Sequence, residues 1–217
     1  MIHGFTKHRS SSSYSSVVLG DGASHLWMLN ESAGTTATDL GASPVNGTYE
    51  GTYTLAQSTG LTGIKTALSL SGAGYVLTGS AAFLASASTT VEGWVNQGST
   101  STGNLLAINN NAGIRLQIGS NAVNVIFNGA QIATASIAAN AWYHVACTLQ
   151  SSGIALFING AQVTTGGGWT AAATAYAAYM GQSGVGSEYL TGKIAAVAIY
   201  PSILTATQIM NHYNAGK

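Results

Sequence analysis

Six carboxylates and five imidazoles are the acid–base groups of this 217-residue chain, and none of the acids lies close to another in the sequence. Asp21, Glu31, Asp39, Glu50, Glu92 and Glu188 are each isolated, and only Glu92 falls on a clear strand. Glycosidic-bond hydrolysis needs two carboxyl groups about 5–10 Å apart, one to donate a proton and one to attack or to activate water. His144 sits in mid-strand between Tyr143 and Val145, and no Gly-x-Ser-x-Gly elbow is available to pair with it. A packed or hydrogen-bonded strand histidine explains it better than a nucleophile's base. His3, His8, His25 and His212 lack the His-x-x-x-His spacing that puts two ligands on one helix face, and Cys147 is the single cysteine. The glycine-rich pieces Gly166-Gly167-Gly168 and Gly181-Gln182-Ser183-Gly184-Val185-Gly186 lack the Lys-Ser/Thr ending of a phosphate loop. These residues point away from catalysis and toward a binding or structural role.

Composition narrows that role. Hydrophobic residues make up 46% of the chain and charged residues 6%, with six basic against six acidic side chains. The first figure allows a substantial core; the second leaves no basic stripe to neutralise a run of phosphates, which argues against nucleic acid. A surface poor in charge lacks self-repulsion and suits packed, symmetric assemblies or homo-oligomers. Basic residues in Met1 to Arg9 are followed by no apolar run, so this stretch does not read as a secretory signal, and Ala171 to Met180 is too short to cross a bilayer.

Most of the chain reads as short strands punctuated by Gly, Ser and Asn. Two segments look alike: Phe127-Asn128-Gly129-Ala130-Gln131-Ile132 and Ile158-Asn159-Gly160-Ala161-Gln162-Val163. Asn-Gly suits a type I′ turn, whose two central residues need positive φ, so each predicts a hairpin tip. The first joins 122–127 to 130–135, the second 153–158 to 161–165. Tyr143, Val145, Cys147 and Leu149 alternate with Trp142, His144, Ala146 and Thr148, which makes the first set a core face. Ile114, Leu116 and Ile118 repeat the pattern, and Ile194 to Tyr200 is continuously apolar, as a buried strand would be. Thr205-Ala206-Thr207-Gln208 has the form of a capping box, with Ile209, Met210 and Tyr213 on one face of the helix it opens and Gly216 as its stop. The serine-rich opening offers little to bury and predicts an extended arm.

Four stretches carry a resemblance: Leu26-Trp27-Met28-Leu29-Asn30-Glu31-Ser32-Ala33-Gly34-Thr35; Thr90-Val91-Glu92-Gly93-Trp94-Val95; Trp142-Tyr143-His144-Val145-Ala146 with Leu156-Phe157-Ile158-Asn159-Gly160; and Gly192 to Tyr200 leading into the capped helix. In this order they resemble the concanavalin A-like lectin and glucanase domains of laminin-G-like type. The resemblance implies an all-β, two-sheet antiparallel jelly-roll sandwich; with the capped helix and the serine-rich opening, the expected layout is a sandwich over residues 23–217 with a short C-terminal helix and an extended N-terminal arm over residues 1–22. Glucanases of this fold carry a Glu-x-Asp-x-x-Glu strand, which is missing here. Many relatives hold calcium on the sandwich rim. The matching loop here is Asp39-Leu40-Gly41-Ala42-Ser43-Pro44-Val45-Asn46-Gly47, with Asp39 and Asn46 as candidate oxygen ligands. Acids common near the last strand in relatives are replaced by Leu190-Thr191-Gly192-Lys193-Ile194-Ala195-Ala196, which favours Asp39 as a turn former.

The lead-in Tyr14 to Ala23 resembles that of such domains in bacteriophage heads and tails. The resulting expectation is a non-catalytic virion structural or decoration protein on a particle surface. Its arm would dock onto capsid or tail subunits through Lys7, Arg9 and Tyr14. The alternative is a lectin module, extracellular or on a particle, that binds glycans with or without calcium. A glycoside hydrolase is the weaker third reading. Of the four tryptophans, Trp169 follows the triple glycine and is the one expected to be exposed, as a sugar-stacking ring or a packing contact.

Overall fold

The computed structural model describes residues 13–109 and 113–217. Its strands form two antiparallel sheets. Sheet A runs β14 (Ala161–Gly166), β13 (Gly153–Ile158), β12 (Trp142–Gln150), β7 (Ser88–Gln97), β16 (Thr191–Tyr200), β5 (Thr66–Ser71) and β4 (Tyr53–Ser58), and β1 (His25–Trp27) pairs with β16. Sheet B runs β11 (Ala130–Ser136), β10 (Ala122–Phe127), β9 (Ile114–Gly119), β8 (Gly103–Ile108), β15 (Ala178–Met180), β6 (Tyr75–Thr78), β3 (Gly47–Glu50) and β2 (Thr36–Ala37). This is the two-sheet jelly-roll sandwich that the sequence predicts.

Alternation decides which side chains meet between the sheets. Val91, Val95, Val145, Cys147 and Leu149 of sheet A pack against Leu106, Ile114, Leu116, Ile118, Val123 and Val125 of sheet B in one buried cluster. Both predicted hairpins form, β10–β11 and β13–β14. Their tips have the positive φ that a type I′ turn needs, 50° and 75° at Asn128 and Gly129, 52° and 80° at Asn159 and Gly160.

Sheet A is apolar on its outer face as well. Two helices cover that face, α1 (Tyr14–Gly20) and α2 (Ala206–Gly216). Tyr14, Val18 and Ile209 pack there against Leu26, Trp94, Ala146, Ala195, Ala198 and Tyr200. This roof is why Ile194 to Tyr200 reads as continuously apolar: the strand is buried on both sides.

The capping box of α2 forms as predicted, with Thr205 accepting from Gln208 N–H and Gln208 Oε1 accepting from Thr205 N–H. Its buried face is Ile209, His212 and Gly216 rather than Ile209, Met210 and Tyr213; Met210 is 37% exposed. Gly216 lies flat against the Trp94 indole, where a Cβ would come 2.5 Å from a ring carbon. Gly216 is the last helical residue, and its missing side chain permits this contact.

The N-terminal stretch differs from expectation. Lys7 and Arg9 lie outside the described residues, and Tyr14–Gly20 is helical rather than extended. Ser13 explains the start: its backbone is extended and its hydroxyl accepts from Ser16 N–H as an N-cap. Tyr14 and Val18, four residues apart, then fall on one buried face.

Candidate ligand-binding face

With α1 and α2 over sheet A, the outer face of sheet B is the one that no helix of the described residues covers. Strand register sets its polar side chains in a row. Thr134 of β11 pairs with Asn124 of β10, Asn124 with Gln117 of β9, and Gln117 with Asn104 of β8. Arg115, two residues before Gln117 and so on the same face, pairs with Ala107 of β8, which pairs in turn with Tyr179 of β15. Thr134 Oγ1 donates to Asn124 Oδ1 at 2.7 Å, and Asn124 Nδ2 reaches Gln117 Oε1 at 3.4 Å.

Glu188, from the loop after β15, closes the row. Its carboxylate takes the Arg115 guanidinium, Gln117 Nε2 at 3.3 Å and Asn104 Nδ2 at 3.4 Å. Among the described residues Arg115 Nε and Asn104 Oδ1 are buried with no hydrogen-bond partner. An unmet buried donor or acceptor costs about 1–3 kcal/mol, so the row has hydrogen-bonding capacity to spare.

Beside this row stand three tyrosines. The Tyr75 ring lies 6.2 Å from Tyr179 and 6.1 Å from Tyr189, and all three are half-buried. Burial, with the Glu50 carboxylate and the other two phenols nearby, raises the Tyr75 hydroxyl above its ordinary pKa, so it remains a proton donor at neutral pH. Gly184, at φ 88°, brings the loop over the Tyr179 ring, where a Cβ would stand 3.1 Å from the ring carbons. Together these groups offer amide, guanidinium, carboxylate and phenol hydrogen bonds beside aromatic faces on a stiff sheet.

The other concentration of polar groups is under the helices. Glu92 of β7 is fully buried, with Oε1 accepting from the Tyr200 hydroxyl at 2.8 Å and lying 3.0 Å from His212 Nδ1. His212 Nε2 lies 2.9 Å from Asp21 Oδ2. His144 Nε2 is 3.3 Å from Glu92 Oε2, within reach of charge attraction but off line for a hydrogen bond. Burial alone would raise the Glu92 carboxyl; the imidazoles of His144 and His212 outweigh it and bring the pKa down to about 2. For His212 burial acts downward, but carboxylates at both ring nitrogens prevail and raise it. The cluster does contain two carboxylates, Glu92 and Asp21, yet one histidine ties them together and Glu92, His144 and His212 have fully buried side chains. It is a clasp between sheet and helix, with no room for a substrate.

Asp39 and Asn46 do meet, but as a loop staple. Asp39 Oδ1 accepts from Leu26 N–H at 2.8 Å and Gly41 N–H at 2.9 Å, and Oδ2 from Val45 N–H at 2.7 Å and His25 Nδ1 at 2.8 Å. Asn46 Oδ1 takes the Asp39 N–H at 3.0 Å. With two donors on each carboxylate oxygen, this side chain does not fit a calcium ligand. Among the described residues no three of His, Cys, Asp and Glu gather to hold a metal ion.

Two further expectations are corrected. Trp169 is 2% exposed and belongs to the core between the sheets, where its backbone N–H donates to Gln150 O. It offers no ring to a sugar. Tyr14 is 1% exposed and stands edge-on to Trp94 at 6.5 Å, so it docks within its own chain and not onto a neighbour.

The two-sheet sandwich with one helix-covered face defines the fold class. Residues 70–210 match the family model described as the concanavalin A-like lectin/glucanases superfamily, and the chain belongs to that superfamily. No curated protein sequence matches it. Among solved structures it is similar to the receptor binding domain of a botulinum neurotoxin mosaic serotype C/D, with 15% identity, a TM-score of 0.69, and coverage of 90% of this chain and 51% of that one. The binding domain of botulinum neurotoxin DC is similar in complexes with rat synaptotagmin II and with SialylT, each at 15% identity and TM-score 0.67, covering 90% of this chain and 52% of that one. This chain thus spans about half the length of those domains, and the likeness is one of fold.

Proposed function

We propose that this chain is a non-catalytic, lectin-like module that binds carbohydrate on the outer face of sheet B. The observation that carries the reading is the hydrogen-bonded row Thr134, Asn124, Gln117 and Glu188 with Arg115, laid beside Tyr75, Tyr179 and Tyr189. Sugar hydroxyls donate and accept at once, which suits a surface of amides, carboxylate and guanidinium. Pyranose rings present an apolar face of C–H groups, which suits tyrosine.

Membership of a lectin and glucanase superfamily supports the reading, and so do neighbours of the same fold described as receptor binding domains. A glucanase role is disfavoured because the buried pair Glu92 and Asp21 is sealed and Glu188 is engaged by Arg115. The virion role rests on an arm whose Lys7 and Arg9 fall outside the described residues and whose Tyr14 is buried.

Screening the full chain against a glycan array, once with calcium and once with a chelator, tests the proposal. Binding to a defined set of glycans under both conditions is expected, since Asp39 is committed to protein N–H groups. Silence under both conditions would overturn it.

A further inference from the structure

We propose a second, independent ligand site at the rim of the sandwich, where the imidazole of His25 faces a cleft suited to a small neutral hydroxyl-bearing molecule with an apolar body. The cleft has a volume of about 360 Å³ and is lined by His25, Phe83, Ala85, Ser43, Ser86 and Pro201, among others. None of its lining residues belongs to the sheet B face.

The imidazole is held on three sides. Nδ1 lies 2.8 Å from Asp39 Oδ2. One ring face stacks on Trp27, with centroids 5.5 Å apart and planes at 6°, and Phe83 meets the ring edge-on at 4.8 Å. The side chain is 7% exposed. Burial alone would raise the Asp39 carboxyl, but the hydrogen bonds from His25 and from the N–H groups of Val45, Leu26 and Gly41 outweigh it and hold the group below its ordinary value. In the neutral imidazole the hydrogen bond from Nδ1–H to Asp39 Oδ2 sets the tautomer in which Nε2 is the acceptor. Among the described residues Nε2 meets no protein hydrogen-bond partner. Unlike both ring nitrogens of His144, it is not among the sealed, unpartnered atoms.

A nearly buried acceptor, fixed in tautomer and orientation, is what a pocket uses to select a donor. The surroundings choose the rest of the ligand. Phe83, Val45, Pro201 and three alanines supply apolar contact, while Ser86 Oγ already donates to the carbonyls of Ser88 and Pro201 and Ser24 Oγ to that of Ile199. With no Lys, Arg, Asp or Glu on the lining, the cleft fits a neutral molecule.

Phenol serves as the probe and anisole, its O-methyl ether, as the control without a donor. Long-range proton–nitrogen correlation spectra of the full ¹⁵N-labelled chain report on both His25 ring nitrogens. Phenol should move the Nε2 resonance saturably, and anisole should bind at least ten-fold more weakly. Ala85→Leu, a change at an exposed lining residue, should weaken phenol at least ten-fold with the fold intact; His25→Phe should abolish the response of the remaining cleft resonances. The site is overturned if phenol leaves Nε2 unmoved, if anisole binds as well as phenol, or if Ala85→Leu has no effect. Loss of glycan binding at sheet B would leave these outcomes unchanged.

Discussion

His212, on the buried face of α2, places its Nδ1 3.0 Å from the carboxylate of Glu92 on β7, 120 residues away in sequence. The far side of the same ring meets Asp21, just beyond α1, at 2.9 Å. One imidazole therefore ties both helices to the outer face of sheet A. Removing one member of a buried pair strands the other, at a typical cost of about 3–5 kcal/mol. Glu92→Gln and His212→Leu should each destabilise the fold on that scale in urea unfolding, and the double variant should lose clearly less than their sum. Additive losses would contradict a direct coupling.

The same pair sets a pH optimum for stability. Glu92 has a folded pKa lowered from 4.5 to about 2, so its contribution is present above pH 4.5 and lost as pH falls through that interval. His212 is raised from 6.5, so its contribution is complete below pH 6.5 and lost as pH rises through its folded value. Unfolding free energy measured against pH should peak between about 4.5 and 6.5. In His212→Leu the fall on the alkaline side should flatten.

Tyr14 is buried against Trp94, yet its hydroxyl has no hydrogen-bond partner among the described residues. Tyr14→Phe keeps the ring and removes the unmet group, so it should leave stability unchanged or raise it by about 1 kcal/mol. Tyr14→Ala should lose about 3–5 kcal/mol, the usual scale for a buried aromatic ring. Thermal unfolding of the two variants distinguishes a helix that is part of the fold from one that only rests on it.

Trp169→Ala should behave as a core substitution, lowering stability by about 3–5 kcal/mol. Under conditions where the variant is folded, its glycan affinity should match the parent. A selective loss of affinity at full stability would return Trp169 to the binding surface.

The sandwich was largely legible because its signals are local. Asn128-Gly129 and Asn159-Gly160 specify turns by φ alone, and Thr205 with Gln208 caps a helix within one turn. The clasp was not legible, since Asp21, Glu92, His144 and His212 meet only after β7 and β12 pair and α2 folds back. His212 also hid the true buried face of α2, because a polar residue at Ile209+3 does not register as core. The serines around Tyr14 masked α1, although the four-residue spacing of Tyr14 and Val18 was a usable signal. The sheet B face had a trace in Ile114-Arg115-Leu116-Gln117-Ile118: the same alternation that marks the core sets Arg115 and Gln117 outward. Glu188 could be joined to them only through the fold.

If sugar binds across Arg115, Gln117 and Tyr75 as we propose, each of these side chains contributes to affinity. Calorimetric titration of the tightest array glycan against Arg115→Ala, Gln117→Ala and Tyr75→Ala, each checked for an unchanged unfolding midpoint, tests it most directly. The expected result is at least a ten-fold weakening in each variant, on the scale of about 1–2 kcal/mol for one lost hydrogen bond or ring contact. Parent-like affinity in all three would place the glycan elsewhere and rule out binding on the sheet B face.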